Sequence, residues 1–452
     1  MNVQTPRRES IKKTLLRGES GQQVQLTGWV RNKRISKAVG FLELNDGSTL
    51  ANLQLVFSAD GLGPEAAEPV EKGAAVEITG NLQASQGKGQ EWEVIVDSLS
   101  VLGPCPDEYP LQTKRHSFEF LREKAHLRPR TRTFSAVFRV RNALAMAIHN
   151  FFQERDFLWI HTPIIAASDC EGAGDLFEVK STEAESFFGQ QAYLTVSGQL
   201  NVESYASAYT DVYTFGPTFR AENSHTARHA SEFWMVEPEI AFADLNDLLN
   251  LAEDFIRTVS FDVHERCTED MEFFDRWIEK GVLENVRSTL EKPFARMTYT
   301  EAIEVLAASG RSFEYPIEWG VSLQTEHERF LAEEHVNGPV FVTDYPTEQK
   351  AFYMRLSDDG RTVAATDLLV PRLGEIIGGS QREERGEVLT SEMARRGLES
   401  APYWWYTELR RYGTTKHAGF GLGFERLLMY LTGMQNIRDV IPFPRTPGQA
   451  DF

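Results

Sequence analysis

The sequence predicts an α+β protein in two parts: a small five-stranded β-barrel at the N-terminal end, then a larger domain of strands and helices. Three observations predict it. From Val24 to Leu102 the chain breaks into five short alternating runs separated by polar turns. Gly103-Pro104-Cys105-Pro106 then opens a proline-rich stretch that reaches Pro110 and reads as a hinge. From Phe134 the period changes. Val137, Val140, Leu144, Ile148 and Phe151 recur at spacings of three and four, the stripe of an amphipathic helix. A chain of 452 residues suggests more than one domain, and 41% hydrophobic with 25% charged residues is a globular composition. The expected divisions are 1–103 for the barrel, 104–132 for a linker and 133–452 for the second domain.

Taken in order, residues 1–20 form a short amphipathic opening. It carries basic residues but no apolar core, so it is not a secretory signal. The barrel strands are VQLTGWV, FLELNDG, LANLQLVF, AVEITGNL and EWEVIVDSLSVL. The basic run Arg31-Asn32-Lys33-Arg34, with Lys37, falls between the first two, and Phe41 and Gln54 lie on the next two. Basic residues with an aromatic on one sheet suit single-stranded nucleic acid. A core Phe41 and a solvated Arg34 would give the same letters. Residues 111–132 are basic and irregular. The helix from Phe134 ends at Asp156-Phe157, and Leu158-Trp159-Ile160 leads as a strand into Thr162-Pro163. Ser168 to Asp175 is a glycine-rich acidic loop. Residues 243–293 read as helices covering a sheet. Val340–Pro346, Ala351–Met354 and Thr366–Val370 read as core strands. Residues 419–432 read as strand, glycine turn and helix, with Gly433 as the stop. The glycines there are no dinucleotide fingerprint, because Phe424 stands where the third glycine belongs.

The net charge of −19 argues against a nucleic-acid binder when taken alone. Its distribution does not. Residues 1–60 hold nine Lys and Arg against five acids, a local excess of +4. Three widely spaced cysteines without a CxxC pair exclude a disulfide framework and a cysteine zinc site, and point to a reducing compartment. No apolar run is long enough to span a membrane.

The richest stretch is Phe215 to Ala241. Val212–Phe215 reads as a strand stopped by a Gly216-Pro217 turn. Thr218–Glu222 resumes it, Asn223–His229 is a polar loop, and Phe233–Val236 is apolar again. Two apart on one strand, Arg220 and Glu222 share a face. A guanidinium can hold a phosphate bidentately, a carboxylate can accept from an exocyclic amine, and Phe233 can offer a ring to a base. An ordinary surface hairpin with an Arg–Glu pair fits the spacing as well. His225 and His229 have zinc-helix spacing, but they lack the Glu of HExxH and lie in a loop.

FRAENSHTARHASEF resembles the second signature motif of the class II aminoacyl-tRNA synthetases, in the form of the aspartyl and asparaginyl branch. GFGLGFERLL resembles the third motif, and the helix from Phe134 with its proline-bearing strand resembles the first. The resemblance covers nearly the whole chain. It implies an OB-type anticodon-binding barrel and a catalytic domain with an antiparallel sheet flanked by helices. It implies ATP and Mg²⁺, a cytoplasmic homodimer, and an amino acid activated as its adenylate before transfer to the 3′ end of tRNA. By the same resemblance Arg220 and Arg426 are catalytic. Arg220, Glu222, Arg228, His229, Phe233, Glu375, Gly423 and Arg426 bind ATP, and Glu375 with Asp367 holds the metal. Glu171, Ser197, Gln199, Glu203, Arg220 and Arg382 bind the amino acid. Phe41 stacks on the middle anticodon base, Gln54 hydrogen-bonds it and Arg34 assists.

The stretch Ser197-Gly198-Gln199-Leu200-Asn201-Val202-Glu203 departs from the aspartyl pattern. That pattern has Ser-Pro-Gln followed three residues later by a lysine; here Gly198 and Val202 stand at those places. The expected cation is gone, and Glu203 suits an amide rather than a carboxylate. This points to asparagine and tRNA(Asn). The gap from Asp367 to Glu375 is one residue longer than the aspartyl pattern. An aspartyl or non-discriminating enzyme, and a non-catalytic RNA-binding paralogue, are the other readings open at this stage.

Overall fold

The computed structural model describes residues 9–87, 89–112, 114–168, 170, 175–182 and 187–452. The chain divides into two compact units, residues 1–136 and 137–452.

In the first unit a short helix, α1 (Ile11–Arg17), is capped by the Ser10 side chain and stopped by a left-handed Gly18. Five strands follow: β1 (Gln23–Ile35), β2 (Gly40–Asn45), β3 (Leu53–Phe57), β4 (Ala75–Ala84) and β5 (Trp92–Gly103). They close as β1-β2-β3-β5-β4, as the five alternating runs predict. Val24, Leu26, Val30, Leu42, Leu44, Leu53 and Leu55 point inward and are buried. β1 is longer than expected. Its first half pairs with β4 and its second half with β2, and a bulge between Val30 and Asn32 lets one strand turn the corner. The basic run therefore lies on β1 itself and not between strands. The linker region is also less irregular than expected. Ser117 caps a helix, α2 (Phe118–Glu123), too short to show a period in the sequence.

The helix predicted from Phe134 is α3 (Arg132–Gln153), and the five residues of its stripe are all buried. Next come β6 (Leu158–Trp159), β7 (Ile165–Ala166), β8 (Tyr193–Leu194), α4 (Gln199–Tyr209), β9 (Asp211–Phe219) and β10 (Glu232–Ala241). Helices α5 (Leu245–Arg266), α6 (Thr268–Trp277) and α7 (Val282–Glu291) are the helical cover the sequence predicts. The remainder is β11 (Ala295–Thr298), α8 (Tyr299–Ala308), α9 (Thr325–Arg329), β12 (Val340–Pro346), β13 (Thr362–Val370), β14 (Gly374–Gln381), α10 (Gly386–Arg395), α11 (Trp404–Glu408), β15 (His417–Gly423) and α12 (Phe424–Thr432). Gly433 stops α12 with φ of 71°.

Eight strands form one sheet in the order β11-β12-β13-β14-β15-β10-β9-β6. Its inner pairings are antiparallel, and the pair at each edge is parallel. Asp244 and Asp247 make a capping box for α5, which lays Leu248, Ala252, Phe255, Ile256 and Val259 against the sheet. Each such buried side chain contributes roughly 1.5–3 kcal/mol relative to exposure. Ala351–Met354 is not a strand; it makes only a single bridge, Met354 to Arg382. Gly216-Pro217 is not a turn either. β9 runs straight through both, opposite Met235 and Trp234. The neighbour on the other side, β6, pairs only with Val212 and Tyr213. Proline is tolerated where a strand has no ladder partner for its missing N–H.

Candidate active site

The hairpin β9–β10, the strands β14 and β15 and the start of α12 enclose one cleft. Its lining includes Arg220, Glu222, Arg228, His229, Phe233, Glu375, Gly423 and Arg426. These are all eight residues that the resemblance assigns to ATP. Arg220 and Glu222 lie just past the end of β9 and not within it, yet the chain there is still tied across the hairpin. Arg220 N–H donates to the Ser231 carbonyl at 3.0 Å. The Arg220 guanidinium lies 5.3 Å from the Phe233 ring centroid. Burial, and then the Arg426 charge, depress the His229 imidazole below its ordinary value, so it is neutral at neutral pH.

Arg426 follows the glycine turn on the first turn of α12. Its Nη1 donates to the Glu375 carbonyl at 3.0 Å and to Glu375 Oε2 at 3.3 Å. The preceding residue, Glu425, accepts from Trp234 N at 2.9 Å and from Arg141 Nη2 at 2.8 Å. One buried carboxylate thus ties α12 to β10 and α3.

Three acids meet beside β14. A side-chain carbon at Gly378 would lie 3.2 Å from Glu375 Oε1 and 3.5 Å from Asp367 Oδ1, so the two predicted metal ligands flank the same spot. The β13–β14 pairing shifts register between Leu368 and Leu369, within the stretch that joins the two acids. Asp367 is engaged by Lys350, whose Nζ lies 2.7 and 2.6 Å from its two oxygens. Burial raises Glu375, but Arg426, Lys350 and Arg220 more than offset it and hold it below the ordinary carboxylate value. The third acid, Glu328 on α9, carries no signal in the sequence. Burial, then Glu375 and Asp367, push it up to about 7.

The residues assigned to the amino acid gather around α4 and the far ends of β10 and β14. Glu171 lies outside the described residues. Ser197 and Gln199 are buried. The Ser197 hydroxyl is committed to Glu237, which also accepts from Gly198 N at 2.9 Å. A proline at 198 would have no N–H to give. Val202 packs with Ile160, Ala206 and Val212, so the position of the lost lysine faces an apolar cluster.

Glu203 corrects the expectation that it accepts the side-chain amide. It is 2% exposed, and four donors already fill its carboxylate. They are Arg410 Nη2 at 2.6 Å, His417 Nε2 at 2.7 Å, Tyr406 OH at 2.8 Å and Gln199 Nε2 at 3.1 Å. A carboxylate has about four lone-pair sites. Burial raises this carboxyl, but Arg410 and His417 pull it down further, to well below the usual range.

A buried acid not singled out in the sequence, Glu239 on β10, stands beside Arg382. It is fully buried and bidentate with Arg382: Nε donates at 3.1 Å and Nη2 donates to the second oxygen. Arg382 Nη1 donates to Ser380 at 2.9 Å. Burial drives the Glu239 carboxyl above its ordinary value, against the pull of the guanidinium. A side-chain carbon at Gly419 would lie 2.1 Å from Glu239 Oε1, so only glycine leaves room for that carboxylate. Glu239 looked like one more strand residue in the sequence; its strand neighbour Gly419 was the available signal.

In the barrel, β1 and β2 pair Arg34 with Phe41, and β2 and β3 pair Glu43 with Gln54. Arg34 is exposed, whereas Phe41 and Gln54 are half-buried. Phe41 is therefore not a core residue; Leu42 and Leu44 are. Gln54 Nε2 donates to Glu93 at 3.0 Å.

Residues 117–447 match the family of class II tRNA synthetases (D, K and N), and residues 24–102 match the OB-fold nucleic acid binding domain. The chain is 56% identical to an asparagine–tRNA ligase of Bacillus cereus, over 96% of each chain. It is 57% identical to one of Thermosynechococcus vestitus, over 98% of this chain and 100% of that one. Among solved structures it is similar to asparaginyl-tRNA synthetase from Pyrococcus horikoshii complexed with asparaginyl-adenylate. That likeness has a TM-score of 0.89 and 32% identity, and covers 98% of this chain and 99% of that one.

The elevated Glu328 has a sign that can be checked. Its carboxyl binds a proton more readily in the folded chain than in the unfolded one. Folding therefore carries a penalty that is absent below the unfolded value near 4.5 and complete above about 7. Glu328→Gln is expected to stabilise the ligand-free protein at pH 8 relative to pH 5, by on the order of 2 kcal/mol. Thermal or urea unfolding at the two pH values measures it; an equal effect at both would remove the assignment.

Proposed function

The chain belongs to the asparagine–tRNA ligases of the class II tRNA synthetases, and we propose how its residues carry out that reaction. In the first step the asparagine α-carboxylate attacks the α-phosphorus of ATP. The bond from that phosphorus to the bridging oxygen breaks, and pyrophosphate leaves with the electron pair. In the second step a hydroxyl of the terminal adenosine of tRNA(Asn) attacks the asparaginyl carbonyl and AMP departs. No protein nucleophile is needed. Catalysis is positioning together with stabilisation of developing negative charge.

The convergence of the nucleotide residues on one cleft carries this reading. Arg220 grips the α-phosphate and the amino acid carboxylate. Glu222 accepts from the adenine amine, Phe233 stacks on the ring, and Arg228, His229 and Arg426 face the outer phosphates. Mg²⁺ fits beside Gly378, where Glu375 and Asp367 face one spot and a third acid raises the negative potential. Glu375 is the stronger ligand, since Lys350 engages both oxygens of Asp367 whereas Arg426 engages one of Glu375. When bound, the ion neutralises phosphate charge.

Asparagine selection follows from the Arg382–Glu239 pair. Arg382 donates to the side-chain carbonyl oxygen and Glu239 accepts from the NH2. An amide adds no charge to this balanced, dry pair. An aspartate would place a second carboxylate against Glu239, which is costly in a buried site. In the barrel Phe41 stacks on the middle anticodon base, Gln54 hydrogen-bonds it and Arg34 supports the backbone.

We also propose a cytoplasmic homodimer. Leu158, Trp159, Ile164 and Ile165 are exposed at and just after the edge strand β6. Such an apolar edge is normally covered. A solution mass near twice 51.2 kDa supports the dimer, and a mass near 51.2 kDa would refute it.

Pyrophosphate exchange with ATP, run with asparagine and with aspartate, tests the reaction. Exchange with asparagine alone is expected; equal exchange with aspartate would overturn the pocket reading. Arg220→Ala is expected to lower kcat/KM for exchange by about 10³-fold or more, roughly 4 kcal/mol of transition-state stabilisation. Near-normal exchange would remove Arg220 from its role. Phe41→Ala is expected to raise KM for tRNA(Asn) about tenfold or more, since a stacked base is worth roughly 1–3 kcal/mol. Exchange without tRNA should be untouched, and a defect there would contradict a purely anticodon-reading role.

A further inference from the structure

Glu203 spends its carboxylate inside the protein, and its four donors come from separated parts of the chain. Two of those donors bracket Arg382. Arg410 gives Nη2 to Glu203 Oε1 and Nε to the carbonyl of Glu383, the residue after Arg382, at 2.8 Å. His417 gives Nε2 to the same Oε1, while its own carbonyl accepts the backbone N–H of Arg382 at 2.8 Å. Arg382 is therefore held on both sides by residues anchored to one carboxylate oxygen. The other oxygen accepts from Gln199 Nε2. That bond fixes which way the Gln199 amide faces, and its Oε1 accepts from Cys170 Sγ at 3.9 Å. Tyr406 closes the knot by donating to Glu203 at 2.8 Å. Glu203, Arg410, Tyr406 and His417 are all buried.

We propose that Glu203, Arg410 and His417 form a positioning clamp that sets Arg382 and Gln199 for the amino acid, and that the negative charge of Glu203 contributes to the choice of asparagine over aspartate. The inference rests on the asparagine-activating reading above. Buried ion networks are weak sources of stability, because desolvation offsets the attraction. What they supply well is a fixed geometry. A site that separates an amide from an isosteric carboxylate needs its guanidinium held to within about half an ångström.

Glu203 is the anion of the clamp, set against Arg410 and the His417 ring, whose other nitrogen meets the Thr415 carbonyl at 2.8 Å. Glu203→Gln removes that anion and leaves the buried Arg410 guanidinium without its carboxylate. That change should weaken asparagine binding through the loosened Arg382 and favour a negatively charged side chain. A general loss of packing would not favour either amino acid.

The test is pyrophosphate exchange with both amino acids, for the wild-type protein and for Glu203→Gln. The ratio of kcat/KM for asparagine to that for aspartate is expected to fall at least tenfold, with KM for ATP changed less than twofold. An unchanged ratio, or equal losses for both amino acids and for ATP, would overturn the proposal. Arg410→Lys covers the case in which Glu203→Gln does not fold. It keeps the charge but gives up the fork that reaches both Glu203 and the Glu383 carbonyl. KM for asparagine is expected to rise at least fivefold and the amino-acid ratio to fall, and an unchanged KM and ratio would overturn the clamp. A wild-type protein with no asparagine-dependent exchange would instead sink the reaction assignment, which keeps the two failures distinct.

Discussion

A buried arginine facing a buried glutamate constrains the rest of the catalytic unit. Glu239 lies on β10 and Arg382 just past the end of β14, with β15 between those strands, and both are buried. Removing two charges from water is expensive, and attraction repays it only with good geometry and further hydrogen bonds. The surroundings supply both. Ser380 takes the remaining Arg382 nitrogen, Gly419 leaves room for the carboxylate, and the backbone on either side of Arg382 is tied down. In the asparagine-selecting role proposed above, an arrangement this costly serves specificity more than stability.

The nucleotide end of the cleft is organised differently. Its charged groups are only partly enclosed, and several are balanced by groups that a ligand can replace. Arg426 rests on Glu375, and Lys350 rests on Asp367. Burial, and then the nearness of both acids, push Glu328 toward neutrality. Arg220, Arg228, Lys350 and Arg426 surround the three acids, so the charges there are paired with one another.

Most of the nucleotide cleft was legible because its residues cluster in short motifs whose spacing survives in the sequence. Arg220, Glu222 and Phe233 sit on one hairpin, and Gly423 and Arg426 on one strand-to-helix turn. The barrel was legible because five alternating runs leave little other choice. Local punctuation misled where tertiary pairing overrode it. Gly216-Pro217 looked like a turn, but an unpaired flank lets β9 pass through it. The amino-acid pocket was hardest to read. Glu203, Glu239, Arg382, Arg410 and His417 come from five separate stretches, and nothing in linear order says which acid faces which base. Glu203 was singled out because it stood beside a missing lysine. Burial decides otherwise: a carboxylate with four internal donors has no lone pair left to offer.

Asparagine and aspartate side chains have nearly the same size and shape, so no steric filter can separate them. What differs is one unit of charge and the hydrogens on one terminal atom. A solvated pocket would screen the charge and admit both. Discrimination therefore requires that the recognising pair be dry, that it already be neutral as a pair, and that it not tilt to accept a second carboxylate. Burial of Glu239 and Arg382 meets the first requirement, and their bidentate pairing meets the second. The third cannot be met by those two residues, because an arginine side chain is long and flexible on its own. It has to come from outside the pair, which is why the contacts on the backbone around Arg382 matter as much as those on its guanidinium.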